Sequence, residues 1–341
     1  MSRATMNMTA GRIDAPRLSH LSWILLAVAL AAGFGLPGVV GSVLVLTLLT
    51  QAVIGGMLAV GVGFLIRQNG VVSFGHAAWY GVSAYCLGLL LRHGVLPVEL
   101  ALVLALAVPT LTAFLLGLAI VRVPGVAFSM LTLAVGQAFH EFAMKAQGLT
   151  NGDDGFAIPL PDSLFGLPIS TVQQPDTMFV LCWTLLALVI FGLYVTVRSP
   201  FGRLTEAIRE NEERARFIGY KTVLPRAATY AISAFVAALA GLLFALYNGF
   251  VSPEVLHWSL SGSALIMAVI GGSRLLWGPA LGAVIFFFLK DLAGNLTEHW
   301  PAMIGVTVIV VTVLMPAGIA GTIAATLAEL TGRLRRAGGR A

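Results

Sequence analysis

Long apolar blocks separated by mostly short polar connections set the pattern of this chain. They lie near 20–36, 43–66, 71–91, 97–121, 126–144, 177–197, 227–249, 259–272, 274–289 and 302–323. A bilayer core of about 30 Å takes roughly 20 apolar residues at 1.5 Å rise each, so the blocks predict ten membrane-spanning helices. The eighth is short and rich in Ser and Gly, and also reads as a re-entrant half-helix. The third and eighth blocks are both Gly/Ser-interrupted and occupy matching places. Two five-span halves would have opposite orientations, the pattern of an inverted five-plus-five repeat. The first block follows a basic N-terminus, as a secretory signal would, but no clear small-x-small cleavage site follows it. The expected fold is all-α: one polytopic domain over 1–341 with about ten transmembrane helices, some of them short or broken.

Composition supports a lipid solvent. Apolar residues make up 58% of the 341 and charged residues 10%, and the mean hydropathy is +0.93. Soluble chains carry about 25% charge, so a soluble enzyme or nucleic-acid binder is excluded. Cys86 and Cys182 both sit in apolar runs, giving neither a disulfide framework nor metal-ligand spacing.

The distribution of charge tests the span count. If the N-terminus is cytoplasmic, all of the 20 basic residues except Arg92, Lys145 and Lys290 fall on the inner side. That bias is what the positive-inside rule requires. It predicts a cytoplasmic N-terminus (1–19), a periplasmic loop (146–176), a cytoplasmic loop (198–226) and a basic cytoplasmic tail (324–341). Both termini are inside, so the number of crossings is even.

The 198–226 loop carries a helical pattern. Ser199 suits an N-cap with Pro200 at the first helical position, and Gly219 suits a C-terminal stop. Glu210–Arg214 and Glu212–Arg216 are i,i+4 pairs in the favourable order. Leu204, Ile208, Ala215 and Ile218 form one stripe, interrupted by Asn211. The segment therefore predicts an amphipathic helix, either lying on the lipid surface or docking a cytoplasmic protein. The close alternation of both charge signs favours docking, because a helix made for anionic lipid is mainly Lys and Arg.

Some chemistry is missing. Of the three lysines only Lys221 precedes a Thr, and Tyr220 stands where a phosphate-cradling G-K-[ST] loop needs Gly. No cofactor is expected on this chain. The intramembrane candidates for ion coupling are His76, His140 and Glu141. An interfacial ion pair with Lys145 accounts for Glu141 and its neighbour. His76, in Ser73-Phe74-Gly75-His76, reads as a helix-packing histidine or a proton relay. Gln51 and Gln137 read as interhelical hydrogen-bond partners or substrate ligands.

Five stretches carry a resemblance. They are Gly70–Gly81 with Ser83-Ala84-Tyr85; Val126–Gln137; Thr150–Gly155 ahead of Ile158-Pro159; Ser199–Arg203 through Ala207–Glu212 to Gly219-Tyr220; and Phe250–Pro253 through Trp258–Gly262, Gly271-Gly272 and Leu276–Pro279. In these the chain resembles bacterial ABC-importer permease subunits of the branched-chain amino-acid (Liv) system, M type. Urea and short-amide permeases are the next relatives, and an ion-coupled secondary transporter is the alternative outside the superfamily.

The resemblance implies a bacterial inner-membrane protein with several partners. These are a homologous second permease in a heterodimer, two ATP-binding subunits that hold ATP and Mg, and a periplasmic substrate-binding protein; no nucleic acid is involved. It makes the 198–226 helix the coupling helix, with Arg203, Glu206, Arg209, Glu210, Glu212, Glu213, Ala215 and Gly219 facing the ATPase. The family pattern Glu-Ala-Ala, three residues, Gly fits Glu213, Ala215 and Gly219, with Arg214 replacing the middle Ala and Leu224-Pro225 arriving early. Asn151 stands where relatives often have Gly, and Ser263 where many have Glu. Ser73, His76 and Gln137 are the expected path-lining residues.

Overall fold

The computed structural model describes residues 20–326 and Glu329, apart from Val95 and Phe165. The 1–19 segment and most of the basic tail, including Arg333, Arg335, Arg336 and Arg340, lie outside the described residues. The helices are α1 (His20–Val39), α2 (Val43–Asn69), α3 (His76–His93), α4 (Val98–Ile120), α5 (Gly125–Lys145), α6 (Gln147–Thr150), α7 (Ile169–Val172), α8 (Pro175–Arg198), α9 (Pro200–Glu210), α10 (Glu212–Phe217), α11 (Val223–Asn248), α12 (Trp258–Gly271), α13 (Gly278–Leu296) and α14 (Trp300–Leu314). Four two-residue strands are β1 (Phe156–Ala157), β2 (Ser163–Leu164), β3 (Leu167–Pro168) and β4 (Phe250–Val251). The protein is an all-α, multi-pass membrane protein.

Among the described residues seven helices are long and apolar enough to cross a bilayer: α1, α2, α4, α8, α11, α13 and the stretch Trp300–Thr326 that contains α14. Helices α3 and α5 are more polar. Helix α12 has 14 residues, about 21 Å at 1.5 Å per residue. It still joins the two ends of the bundle. It starts beside β4, which pairs antiparallel with β1, and leads to Arg274, whose carbonyl accepts from Arg67 at the far end of α2. Non-helical segments on either side supply the missing length.

Three predicted boundaries move. The third span begins at His76 rather than 71, because Val71–Gly75 is held out of helix by side chains described below. The ninth begins at Gly278, since 272–277 form the turn after α12. The tenth is interrupted at 315–317, where Pro316 follows the end of α14, and helix resumes over 318–326.

Helix α11 forms the centre and packs on α2, α3 and α4. It is dense in small residues, with Ala227, Ala234, Ala237, Ala240 and Ala245 all fully buried. Lipid tails are as apolar as Leu, so helices in a membrane gain by close approach, which small residues permit. Near the start of the 146–176 loop Asn151 takes a left-handed conformation (φ 63°), and its side chain donates to the Gly155 carbonyl at 2.7 Å.

Candidate functional site: a clamped two-helix connector

The 198–226 segment starts as the sequence predicts. Ser199 Oγ accepts from the Gly202 amide at 3.2 Å, and Pro200 is the first helical residue. It does not continue as one helix to Gly219. Asn211 adopts an extended conformation (φ −157°, ψ 97°), ending α9 and capping α10, with its Oδ1 accepting from the Arg214 amide at 2.8 Å. A short polar side chain that bonds its own backbone ahead competes with helix continuation. The Glu210–Arg214 pair therefore does not form, whereas Glu212–Arg216 does, at 2.5 Å.

Gly219 closes α10 at φ 96°. Its amide donates to Arg216 (2.9 Å) and the Tyr220 amide to Ala215 (3.1 Å), the paired bonds of a Schellman cap. Of the predicted apolar stripe, Ile208 and Ala215 are buried and Leu204 is half-buried. Ile218 departs from it at 70% exposed, next to Phe217 at 92%.

Helix α9 is fastened to the end of α2. Thr205 Oγ1 shares its one proton between the Gly202 carbonyl at 2.9 Å and Gln68 Oε1 at 3.2 Å, and Arg209 Nη1 donates to the Arg67 carbonyl at 2.5 Å. Helix α10 is fastened to α11 through Glu212. Its Oε1 accepts from Thr222 Oγ1 (2.8 Å) and Arg216 Nη2 (2.5 Å), and its Oε2 from Arg226 Nη1 (2.7 Å). The Arg226 side chain is only 8% exposed, so removing its partner would leave a buried cation unpaired. The carboxylate expected on the docking face is thus engaged within the chain. Glu213, Arg203, Arg209 and Glu210 are exposed and Glu206 is half-buried.

Partial burial alone would push the Glu212 carboxyl up. The Thr222 hydroxyl and the Arg226 and Arg216 guanidiniums outweigh that and hold it below the ordinary carboxylate range. The clamp's contribution is therefore complete above the unfolded value of about 4.3 and is lost as pH falls through the depressed folded value. Amide protection across Glu212–Phe217, corrected for intrinsic exchange, should fall on acidification. Glu212→Gln should show the low protection already at neutral pH and little further dependence. Full protection in that variant at neutral pH would remove the clamp.

Deeper in the body, Val71–Gly75 is non-helical chain between α2 and α3. Such backbone needs protein partners where no water reaches it. Ser129 Oγ donates to the Val72 carbonyl (2.7 Å), and Thr132 Oγ1 accepts from the Phe74 amide (3.2 Å). Ser261 Oγ of α12 accepts from the Ala77 amide at 2.8 Å. His76 Nε2 lies 2.5 Å from Ser233 Oγ, which donates to the Gly61 carbonyl at 2.8 Å. With the serine proton committed to Gly61, the imidazole must donate. Gly61 is eight residues before the end of α2, which places the start of α3 about 12 Å inside the bundle.

Ser73 and His76 are both fully buried, so neither reaches the surface of the chain. Gln137 is half-buried and donates to Glu141 at 3.3 Å, and Glu141 pairs with Lys145 at 3.4 Å. His140 faces His257 instead, with ring centroids 5.3 Å apart. Sequence reasoning missed the exposed cluster of Phe217, Ile218, Tyr220 and Leu224. The signal was present as apolar residues bracketing Gly219 outside any predicted span.

The geometry is that of a polytopic membrane bundle of apolar helices with a clamped polar connector at one end. Residues 44–316 match the family described as branched-chain amino acid transport system / permease component, and the chain belongs to that family. It is 28% identical over 291 residues to the high-affinity branched-chain amino acid transport system permease protein LivM of Salmonella typhimurium, covering 79% of this chain and 68% of the relative. It is 28% identical over 197 residues to the LivH permease protein of the same transport system from Escherichia coli, covering 55% and 62%. Over 249 residues it is 28% identical to the autoinducer 2 import system permease protein LsrC of Photorhabdus luminescens, covering 70% of each chain. No solved structure matches the chain.

Proposed function

We propose that the protein is the membrane permease of an ATP-binding-cassette importer for branched-chain aliphatic amino acids in the bacterial inner membrane, with both termini cytoplasmic. It pairs with a homologous second permease, and the translocation path runs along their interface. Two ATP-binding subunits, which hold ATP and Mg, dock on the α9–α10 connector, and a periplasmic binding protein delivers substrate to the 146–176 loop. The LivM and LivH likenesses support this pairing of two permeases.

The observation that carries the reading is the connector itself. Its tip presents Phe217, Ile218 and Tyr220 to solvent while its base is locked through Glu212 to Arg226. A push on α10 is thus transmitted to α11, whose Ser233 contacts α2 and α3. Closure of the nucleotide dimer would move the connector, and the permease pair would exchange its opening from one side to the other. A zwitterionic substrate with an aliphatic side chain suits a path with apolar walls and few charges.

The test is isolation of the intact complex from membranes, followed by uptake of labelled leucine into vesicles with ATP trapped inside or outside as the orientation requires. Glu213→Arg and Gly219→Trp should each abolish ATP-dependent uptake with normal insertion. At Gly219 nothing lies within 4 Å of an added Cβ, so within the chain the cost is the left-handed backbone alone, about 1–2 kcal/mol, and the loss of uptake comes from the bulky indole at the docking face. Uptake driven by an ion gradient, without an ATPase partner, would defeat the reading.

A further inference from the structure

Helix α1 leans on α8. Trp23 and Phe191 have ring centroids 4.9 Å apart, Trp183 Nε1 donates to the Ala29 carbonyl at 2.8 Å, and Ser22 and Tyr194 hydroxyls lie 3.1 Å apart. Between this pair and α2 with α13 lies a crevice of about 860 Å³. Its walls are apolar side chains such as Leu26, Leu186, Ile190 and Val284, and one end carries Arg67 and Arg198.

These two arginines have no acid within ion-pair distance among the described residues. Arg67 uses one donor on the Arg274 carbonyl, out of the five a guanidinium offers. Arg198 stacks over Tyr194, 4.4 Å from its centroid, which leaves its N–H edges open. Among the described residues no Asp or Glu lines the crevice. Trp277 and Tyr194 sit at the same end, the ring types that favour the headgroup level of a bilayer. An apolar slot ending in two guanidiniums with no acid partner among the described residues is complementary to a hydrocarbon chain that ends in a phosphate.

We propose that this crevice holds an acyl chain of an anionic phospholipid whose phosphate rests on Arg67 and Arg198. A helix from a second permease would be a poorer occupant, because it would have to bring carboxylates into the gap to satisfy both cations. The bound lipid wedges α1 and α8 against α2 and α13, so it becomes part of the permease body.

The test uses the full-length protein in nanodiscs of mixed phosphatidylglycerol and phosphatidylcholine, with lipids retained on release counted by native mass spectrometry. Wild type should retain phosphatidylglycerol in preference to phosphatidylcholine. Arg67→Gln with Arg198→Gln should cut that retention roughly ten- to thirty-fold. Ala187→Trp, which fills the slot and spares both arginines, should also expel it, and melting curves establish that each variant is folded. The proposal is overturned by equal retention of the two lipids in wild type, or by undiminished retention in the folded arginine variant. It is equally overturned if a photoactivatable phosphatidylglycerol fails to label the crevice while a partner permease cross-links there.

Discussion

Phe217→Asp is expected to abolish ATP-driven uptake while the permease still inserts and melts as the wild type does. The side chain is 92% exposed at the end of a six-residue helix, so nothing in the fold depends on it. With Ile218, Tyr220 and Leu224 it forms an apolar patch on a connector that the charge distribution assigns to the aqueous side. Exposed apolar surface of this kind marks a protein or membrane contact, and in the proposed reading the ATP-binding subunits cover it. Aromatic anchors at the centre of such contacts carry about 2 kcal/mol or more, roughly thirty-fold in affinity, and an introduced carboxylate would also be desolvated. Loss of ATPase subunits from the purified complex, together with loss of uptake, is the result to measure. A Phe217→Asp complex that keeps its ATPases and transports normally would refute the docking face, and with it the connector's role.

A large effect on folding is expected at Gly241. A Cβ built there would stand 2.9 Å from the Tyr80 Cα and closer still to the Tyr80 carbonyl oxygen. The obstacle is backbone, which cannot rotate away. Gly241→Val therefore forces α11 and α3 apart at the centre of the bundle, at upward of about 3 kcal/mol. The measurement is recovery of monodisperse protein after detergent extraction, with its melting temperature; recovery near zero is expected. Gly294→Ala is the contrast, because nothing lies within 4 Å of a Cβ at that helical position. There the substitution should be neutral or raise stability by up to about 1 kcal/mol through helix propensity. A stable Gly241→Val would mean that the α11–α3 contact is looser than the structure shows.

These two positions differ in how legible they are. The exposure of Phe217 could be inferred once Gly219 was read as a helix stop, since a residue just before a left-handed cap at a chain reversal has little to pack against. The closeness at Gly241 could not. One glycine among many in an apolar run carries no mark of which backbone it will meet. Glu212 shows the same limit on the polar side. Its i,i+4 partner Arg216 was legible from spacing, but its bonds to Thr222 and Arg226 depend on how the chain turns at Gly219. Likewise Ser73 and His76 stood out in a Gly-flanked stretch, yet their complete burial depends on α11 and on the α5 side chains that hold Val71–Gly75.

By itself the sequence determined the solvent, the helical class, the placement of the apolar segments and the location of the polar connector. Each follows from local properties: run length, charge density, and capping residues that act within one turn. Only the tertiary structure decided where α3 begins, which acid is consumed inside the chain and which pair of arginines lines the apolar crevice. Those outcomes arise between residues distant in the sequence, where a buried backbone group, as at the start of α3, or a buried charge, as at Arg226, must find its partner within the chain.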